Sequence, residues 1–151
     1  MKKRINKKKG ILFWITGLSG SGKTTLAKSI FPEIVKRFGP TIELSGNDLR
    51  NTLDLRYYDI RNRKKYALKY SKFCKILYDQ KINVIFSTIS LFHEVHAKNR
   101  KLFKNYLEIY VKSDISKLIK NGNKHFYRKK KLINIVGKNL KPQFPKNPHI
   151  I

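Results

Sequence analysis

The sequence is short of cysteine and of long apolar runs, and each shortage excludes a class of protein. Cys74 is the single cysteine, so no internal disulfide can form. It falls in the apolar pattern of a helix, which predicts a small core residue rather than a reactive thiol. No run reaches the about 18 apolar residues of a membrane-spanning helix, and the basic start Met1 to Gly10 lacks the apolar segment of a signal peptide. We therefore expect a cytoplasmic protein without membrane contact.

Acidic residues are scarce as well. The chain has 9 Asp and Glu against 35 Lys and Arg, which gives a formal net charge of +26. This excess predicts affinity for polyanions, either as functional nucleic-acid binding or through a highly charged small-molecule substrate. The basic residues are dense only over 2–9 and 128–131, which favours the small-molecule substrate, with non-specific polyanion binding as a by-product. We interpret residues 1–10 as a basic flexible tail.

The length and the apolar patterning predict one α/β domain over residues 11–151. A chain of 151 residues is long enough to bury one core. Short apolar runs typical of buried strands alternate with helical patterns, which predicts a mostly parallel sheet with right-handed crossovers. The predicted strands are 11–16, 41–44, 83–87 and 107–111, and the predicted helices include 59–80, 92–103 and 114–120. Another helical pattern begins near Lys23 and ends before Gly39, and Pro32 marks either a kink in this helix or the first turn of a second one. The basic, weakly patterned stretch 121–141 is interpreted as a mobile lid.

A glycine-rich stretch follows the first predicted strand and reads Gly17-Leu18-Ser19-Gly20-Ser21-Gly22-Lys23-Thr24. A complete G-x-x-x-x-G-K-T between a strand and a helix indicates a phosphate-binding P-loop. The glycines let backbone N–H groups surround phosphate oxygens, Lys23 reaches the terminal phosphates and the Thr24 hydroxyl ligates magnesium. Because no His or Cys cluster has the spacing of another metal site, Mg²⁺ is the one metal expected. The predicted nucleotide-binding residues are Gly17, Leu18, Ser19, Gly20, Ser21, Gly22, Lys23, Thr24 and Thr25.

From Phe13 to Ala27 the chain resembles the P-loop of the adenylylsulfate kinases well beyond the general pattern. Further matches to that family follow in order: Gly46 and Arg50 to D-G-D-x-x-R, Arg63 to D-R-x-x-N, Ile89-Ser90 and Phe92 to I-S-P-F, and Pro145 with Asn147-Pro148 to P-x-N-P. The resemblance implies a P-loop NTPase fold, a three-layer sandwich with a mostly parallel sheet and a basic lid. It also implies an ATP- and Mg²⁺-dependent kinase, often dimeric, that phosphorylates the 3′-hydroxyl of a small nucleotide, adenylyl sulfate.

The same resemblance implies an acceptor site. Arg50 and Arg63 match arginines that clamp the phosphate and sulfate of the acceptor, a task that suits guanidinium groups. Tyr58 stands where the family has a phenylalanine that stacks on the acceptor base, and Ile135 replaces a lid phenylalanine. The implied acceptor-binding residues are Arg50, Tyr58, Arg63, Tyr66, Ile89, Ser90, Lys124 and Ile135.

The chain departs from the family at the turn after the second predicted strand. Where the family has Asp-Gly-Asp, this sequence has Ser45-Gly46-Asn47, so the carboxylate expected beside the acceptor hydroxyl is missing. Three alternatives stay open: Asp48 acts as the base, Asn47 merely orients the hydroxyl, or the chain is a weak or inactive kinase. The candidate catalytic residues are Lys23, Asp48, Asn47 and Ser90.

An altered turn beside an intact P-loop leaves the acceptor open. Adenylyl sulfate is the default acceptor that the resemblance implies. The related cytidine diphosphoramidate kinases use the same scaffold on the 3′-hydroxyl of a cytidine nucleotide, CDP-amidate. The altered turn fits such a changed acceptor, and it fits other nucleotides equally well. The net charge motivates a third alternative, a polynucleotide kinase or an RNA-binding P-loop protein. A fourth is a protein that binds ATP without transferring a phosphoryl group.

Overall fold

Four parallel strands form the sheet at the centre of the molecule. The computed structural model describes residues 9–120 and 134–151. The strands are β1 (Leu12–Thr16), β2 (Thr41–Ser45), β3 (Asn83–Thr88) and β4 (Tyr106–Tyr110), in the spatial order β2-β3-β1-β4. Every adjacent pair is parallel. Because β1 and β3 are central, they are buried along their whole length, as expected when a parallel sheet is covered on both faces.

Helices cover both faces of this sheet. They are α1 (Lys23–Phe38), α2 (Gly46–Thr52), α3 (Ile60–Asp79), α4 (His93–Leu102) and α5 (Ile115–Lys120). On one face α1 packs against a cluster that includes Phe13 and Ile15. On the other face α3 and α4 pack against a cluster that includes Trp14 and Phe86, whose rings stack at 5.0 Å. The three layers and the parallel sheet confirm the predicted α/β sandwich.

Helix α3 buries one stripe of side chains in the core. Tyr66, Tyr70, Cys74 and Tyr78 follow one another at one-turn intervals, and all four are buried. The i, i+4 spacing places them on a single face of the helix. Cys74 is fully buried, which confirms its interpretation as a core residue, and burial raises the pKa of its thiol.

The carboxyl ends of β1, β2 and β3 share one edge of the sheet because the strands are parallel. β1 leads into the glycine-rich loop before α1, β2 leads directly into α2, and β3 leads into residues 89–92 before α4. Open α/β sheets bind their ligands at this edge. The fold therefore brings together the three sequence blocks in which most of the candidate residues lie.

The end of the chain crosses the same edge and joins the sheet. The backbone N–H of Gln143 donates to the Leu91 carbonyl at 3.0 Å, and Ile150 forms a parallel bridge with Ile109 of β4. Of the predicted tail and lid, only residues 9–10 and 134–141 are described. Within the described parts of the chain, no helix combines the length and apolarity needed to cross a membrane.

Candidate functional site

The loop between β1 and α1 has backbone conformations that favour glycine. Gly20 and Gly22 have φ values of 82° and 92°, in the left-handed region. A Cβ atom at Gly17 would lie 2.5 Å from the Val111 carbonyl oxygen, because the loop passes close to the residue after β4. The glycine spacing that predicted a P-loop is thus required by the geometry of this loop.

The loop combines a buried cation with uncapped helix N–H groups. Lys23 begins α1, is only 9% exposed, and donates a 2.6 Å hydrogen bond from Nζ to the Leu18 carbonyl. The first turn of α1 contains no acidic residue, and no side chain caps it at Gly22. Free N–H groups at a helix N-terminus attract phosphate oxygens, and the ammonium adds positive charge beside them. The residues present therefore fit a nucleoside triphosphate.

This loop lines a cavity of about 350 Å³. Of the predicted nucleotide-binding residues, those that line it are Ser19, Gly20, Gly22, Lys23, Thr24 and Thr25. The Leu18 side chain instead lies buried beneath the loop, in a cluster with Leu91 and Leu118. Gly17 and Ser21 are not lining residues either, so the predicted set divides into residues that face the cavity and residues that shape the loop.

Helix α2 begins with a capping box that engages Asp48. The Ser45 N–H donates to Oδ2 of Asp48 at 2.9 Å, and the Asp48 N–H donates to Oγ of Ser45 at 3.2 Å. Asp48 is not among the residues that line the cavity, whereas Asn47 is. The Asp48 carboxylate therefore caps α2, while Asn47 faces the cavity. The roles of both residues at the acceptor hydroxyl stay predictions.

Gly46, between Ser45 and Asn47, leaves no room for a side chain. A Cβ atom there would lie 2.9 Å from Oγ1 of Thr88 on β3. We expect Gly46→Ala to lower the free energy of unfolding by about 1–3 kcal/mol, the usual cost of overpacking, in a urea titration. Because Thr88 Oγ1 is the atom crowded, the same substitution made in a Thr88→Ala background should cost less. An equal cost in both backgrounds would place the crowding elsewhere.

Two arginines, one from α2 and one from α3, line the cavity together. The guanidinium carbons of Arg50 and Arg63 lie 4.6 Å and 5.3 Å from the centroid of the Tyr58 ring. Nε of Arg50 is buried and has no hydrogen-bond partner among the described residues. Burial, followed by the nearby charge of Arg50, lowers the pKa of Arg63. Because two like charges lie close together, an anion bound between them would relieve their repulsion.

Tyr58 and Tyr66, which the resemblance implied as acceptor-binding residues, do not line the cavity. Tyr58 does not line the cavity, because its ring covers the two guanidinium groups and its carbonyl accepts a 2.6 Å hydrogen bond from Nε of Arg63. Tyr66 is also absent from the lining, because it is 5% exposed within the core. Tyr70, one turn later on α3, does line the cavity, and burial raises the pKa of its hydroxyl. The sequence predicted the helix that carries these tyrosines, but not which tyrosine reaches the cavity.

Hydroxyl groups at the end of β3 form another wall. Ile89 and Ser90 line the cavity, and so do Ser87 and Thr88, which were not predicted from the sequence. Oγ of Ser90 lies 2.8 Å from Oγ1 of Thr88. The Ser90 carbonyl accepts a 2.9 Å hydrogen bond from Nε2 of His96, a buried residue whose pKa is lowered mainly by its burial. This hydrogen bond therefore connects the wall to α4.

Residues 134–141 complete the cavity. Ile135 is 8% exposed and packs with Leu18 and Leu91, so it does not face the cavity as the resemblance implied. The following turn places other side chains there; the lining residues it supplies are Val136, Leu140 and Lys141. None of these three residues was predicted from the sequence. The predicted lid residue Lys124 lies outside the described residues.

The electrostatic character of the cavity is uniform. Over the described residues its charged lining consists of the cations Lys23, Arg50, Arg63 and Lys141, with no Asp or Glu. Residues 9–120 and 134–151 also contain no group of three His, Cys, Asp or Glu side chains that could hold a metal ion. Such a cavity suits polyanionic ligands, because every lining charge is positive.

Comparisons with known proteins agree with this geometry. A model of the family described as "Adenylylsulphate kinase" matches residues 9–151. A cytidine diphosphoramidate kinase of Campylobacter jejuni is 39% identical over 143 residues, which cover 93% of this chain and 84% of that protein. An adenylyl-sulfate kinase of Thermodesulfovibrio yellowstonii is 33% identical, with 99% of this chain and 78% of that protein covered. The Mycobacterium tuberculosis APS kinase in complex with AMPPNP and APS is 25% identical and superposes with a TM-score of 0.84, covering 94% of this chain and 87% of that chain.

Proposed function

This chain belongs to the adenylylsulfate kinase family and is a phosphotransferase, and we propose that it transfers the γ-phosphoryl group of ATP to the 3′-hydroxyl of a small anionic nucleotide such as adenylyl sulfate. The observation that carries the proposal is the continuity of the cavity. One space is lined at once by the P-loop, by Asn47 and by the arginines of α2 and α3. A donor and an acceptor bound in that space would lie next to each other, which is the main requirement of phosphoryl transfer.

The P-loop side of the cavity holds the donor in this proposal. Lys23 supplies positive charge at the β- and γ-phosphates, and the first-turn N–H groups of α1 bind phosphate oxygens. Thr24, at the start of α1, provides the hydroxyl that would ligate Mg²⁺ together with the phosphates. When bound, Mg²⁺ supplies charge neutralisation at the phosphates. Because ATP is the donor, we also propose that the protein acts in the cytoplasm.

The opposite side holds the acceptor. Arg50 and Arg63 bind its anionic group, and Tyr70 and Ser90 present hydroxyl groups to the same space. Asn47 orients the 3′-hydroxyl through its side-chain amide. No carboxylate is needed for this step, because a loose phosphoryl-transfer transition state depends on positioning and charge stabilisation more than on proton removal.

CDP-amidate is the second candidate acceptor, and a specific observation favours it. The Campylobacter jejuni relative named for this substrate is more similar in sequence than the Thermodesulfovibrio yellowstonii adenylyl-sulfate kinase, at 39% against 33% identity. The replacement of the family's Asp-Gly-Asp by Ser45-Gly46-Asn47 lies directly at the acceptor side. Both acceptors are nucleotides with two linked acidic centres, so the general proposal holds for either.

An acceptor panel tests the proposal. The protein is incubated with Mg²⁺ and ATP in the presence of adenylyl sulfate, CDP-amidate, a 5′-hydroxyl RNA oligonucleotide or buffer, and ADP release is followed. We expect release above the buffer rate with one of the two small nucleotides, and a 3′-phosphorylated product in its ³¹P NMR spectrum. Release that depends on the RNA would support the polynucleotide kinase alternative instead. No acceptor-dependent release with any member would overturn the proposed kinase activity.

A further inference from the structure

A short segment near the end of the chain is held against the acceptor side of the cavity. Residues 134–144, here called the return segment, are tied at both ends. Nη2 of Arg63 donates to the Asn134 carbonyl at 2.8 Å, and the Gln143 N–H donates to the Leu91 carbonyl at 3.0 Å. The Gln143 side chain in turn accepts a 2.8 Å hydrogen bond from the backbone N–H of His93. These contacts connect the return segment to α3, to the wall after β3 and to α4.

A tight turn inside the return segment fixes the position of the Lys141 backbone. The Gly137 N–H donates to the Leu140 carbonyl at 2.9 Å, and Gly137 has a φ of 88°. A Cβ atom at Gly137 would lie 3.0 Å from Cδ2 of Leu18, so the turn packs tightly against the residue beneath the P-loop. Lys141 follows this turn directly and lines the cavity. Its backbone is therefore held between two anchored residues rather than in a free loop.

Lys141, an exposed residue, adds a further cation to the lining of the cavity that contains Arg50 and Arg63. The guanidinium carbons of Arg50 and Arg63 lie 4.6 Å and 5.3 Å from the centroid of the Tyr58 ring, and no acidic side chain forms an ion pair with Lys141 among the described residues. One phosphate group can be clamped by two guanidinium groups. A third cation in the same cavity suits a ligand with a second acidic centre next to the first, because each charge then has a partner.

We infer that Lys141 is a specificity-determining residue, which binds the second of two linked acidic centres on the acceptor and so selects phosphosulfate- or diphosphate-type nucleotides over monophosphates. The inference rests on the proposed function. It concerns a residue that follows the anchored turn, and it does not depend on which base the acceptor carries. The ammonium donates charge-assisted hydrogen bonds to the second centre, while Arg50 and Arg63 hold the first.

The experiment measures acceptor binding separately from turnover. With the P-loop filled by Mg²⁺ and ADP, the affinities of adenylyl sulfate and CDP-amidate are measured by calorimetry, together with those of AMP and CMP. Lys141→Met should weaken the better-bound two-centre nucleotide by about ten- to a hundredfold, since a hydrogen bond to a charged group is lost. The corresponding monophosphate should lose less than about threefold. Lys141→Arg should restore most of the affinity, and Lys146→Met, an exposed residue outside the cavity, should change nothing.

The outcomes separate the two claims. If the wild type binds a two-centre nucleotide but transfers no phosphoryl group, the proposed activity fails while the role of Lys141 is still measured. If Lys141→Met leaves that affinity unchanged, or weakens the monophosphate by the same factor, the inference fails even in an active kinase. In steady-state kinetics Lys141→Met should raise KM for the acceptor and leave KM for ATP unchanged, and an equal rise in both would also contradict it. Failure of the wild type to bind either two-centre nucleotide overturns both claims.

Discussion

Lys23→Ala is expected to reduce phosphoryl transfer by about a hundred- to a thousandfold, the loss typical of removing a principal donor to the transition state. Lys23 is a buried cation in the P-loop, and its Nζ donates within the loop to the Leu18 carbonyl. When a triphosphate binds, this ammonium is the group best placed to exchange that carbonyl for phosphate oxygens. Removing it leaves the charge that develops on the transferred group without its nearest protein cation. The measurement is single-turnover ADP formation at saturating ATP and acceptor.

A control separates this effect from loss of the loop. Lys28 lies on the same helix at an exposed position, and the Lys28→Ala variant should retain full activity. Because Lys23 also holds the Leu18 carbonyl, the Tm of Lys23→Ala is compared with that of the wild type. A variant that keeps its Tm and its turnover would contradict the assignment of Lys23. A variant that folds but does not turn over supports it.

The fold was predictable because its signals are local and periodic. The strands and helices alternate in the sequence as they do in the structure, and the buried strand β1 reads as an unbroken apolar run before the glycines. The P-loop was recognisable for the same reason, since its glycine spacing is a local pattern and Gly20 and Gly22 adopt left-handed φ values that favour glycine. Neither inference needs knowledge of which distant elements meet.

The acceptor side was harder to predict because its residues come from distant parts of the chain. Tyr66 and Tyr70 share one helical stripe, and only the packing of α3 decides that Tyr70 reaches the cavity. Ile135 and Lys141 lie around a turn with no periodic signal, so the sequence could not show that the first is buried and the second lines the cavity. Asp48 is different, because a serine three residues before an acidic residue is itself the pattern of a capping box. That pattern explains the hydrogen bond that the Asp48 carboxylate accepts from the Ser45 N–H.

Replacing Asn47 should lower kcat strongly, whereas replacing Asp48 should leave it almost unchanged. Asn47→Ala is expected to lower kcat by about a hundredfold, because the amide that orients the acceptor hydroxyl is lost from the cavity. Asp48→Asn should change kcat by less than about threefold, a change too small for the loss of a general base. Asparagine keeps an oxygen that can accept the Ser45 N–H bond, so the substitution removes the carboxylate while the capping box can still form. Both variants are compared by kcat at saturating acceptor.

The comparison of the two variants decides between the competing roles. A large loss in Asp48→Asn with little change in Asn47→Ala would place a base at Asp48 and require α2 to open its capping box during turnover. Asn47→Asp provides a further test, because it introduces a carboxylate into a cavity whose described lining has none. If Asn47 only orients the hydroxyl, Asn47→Asp should keep kcat within about tenfold of the wild type, since a carboxylate oxygen can accept the same hydrogen bond. Its KM for the acceptor should rise, because the new negative charge repels the anionic nucleotide that Arg50 and Arg63 attract.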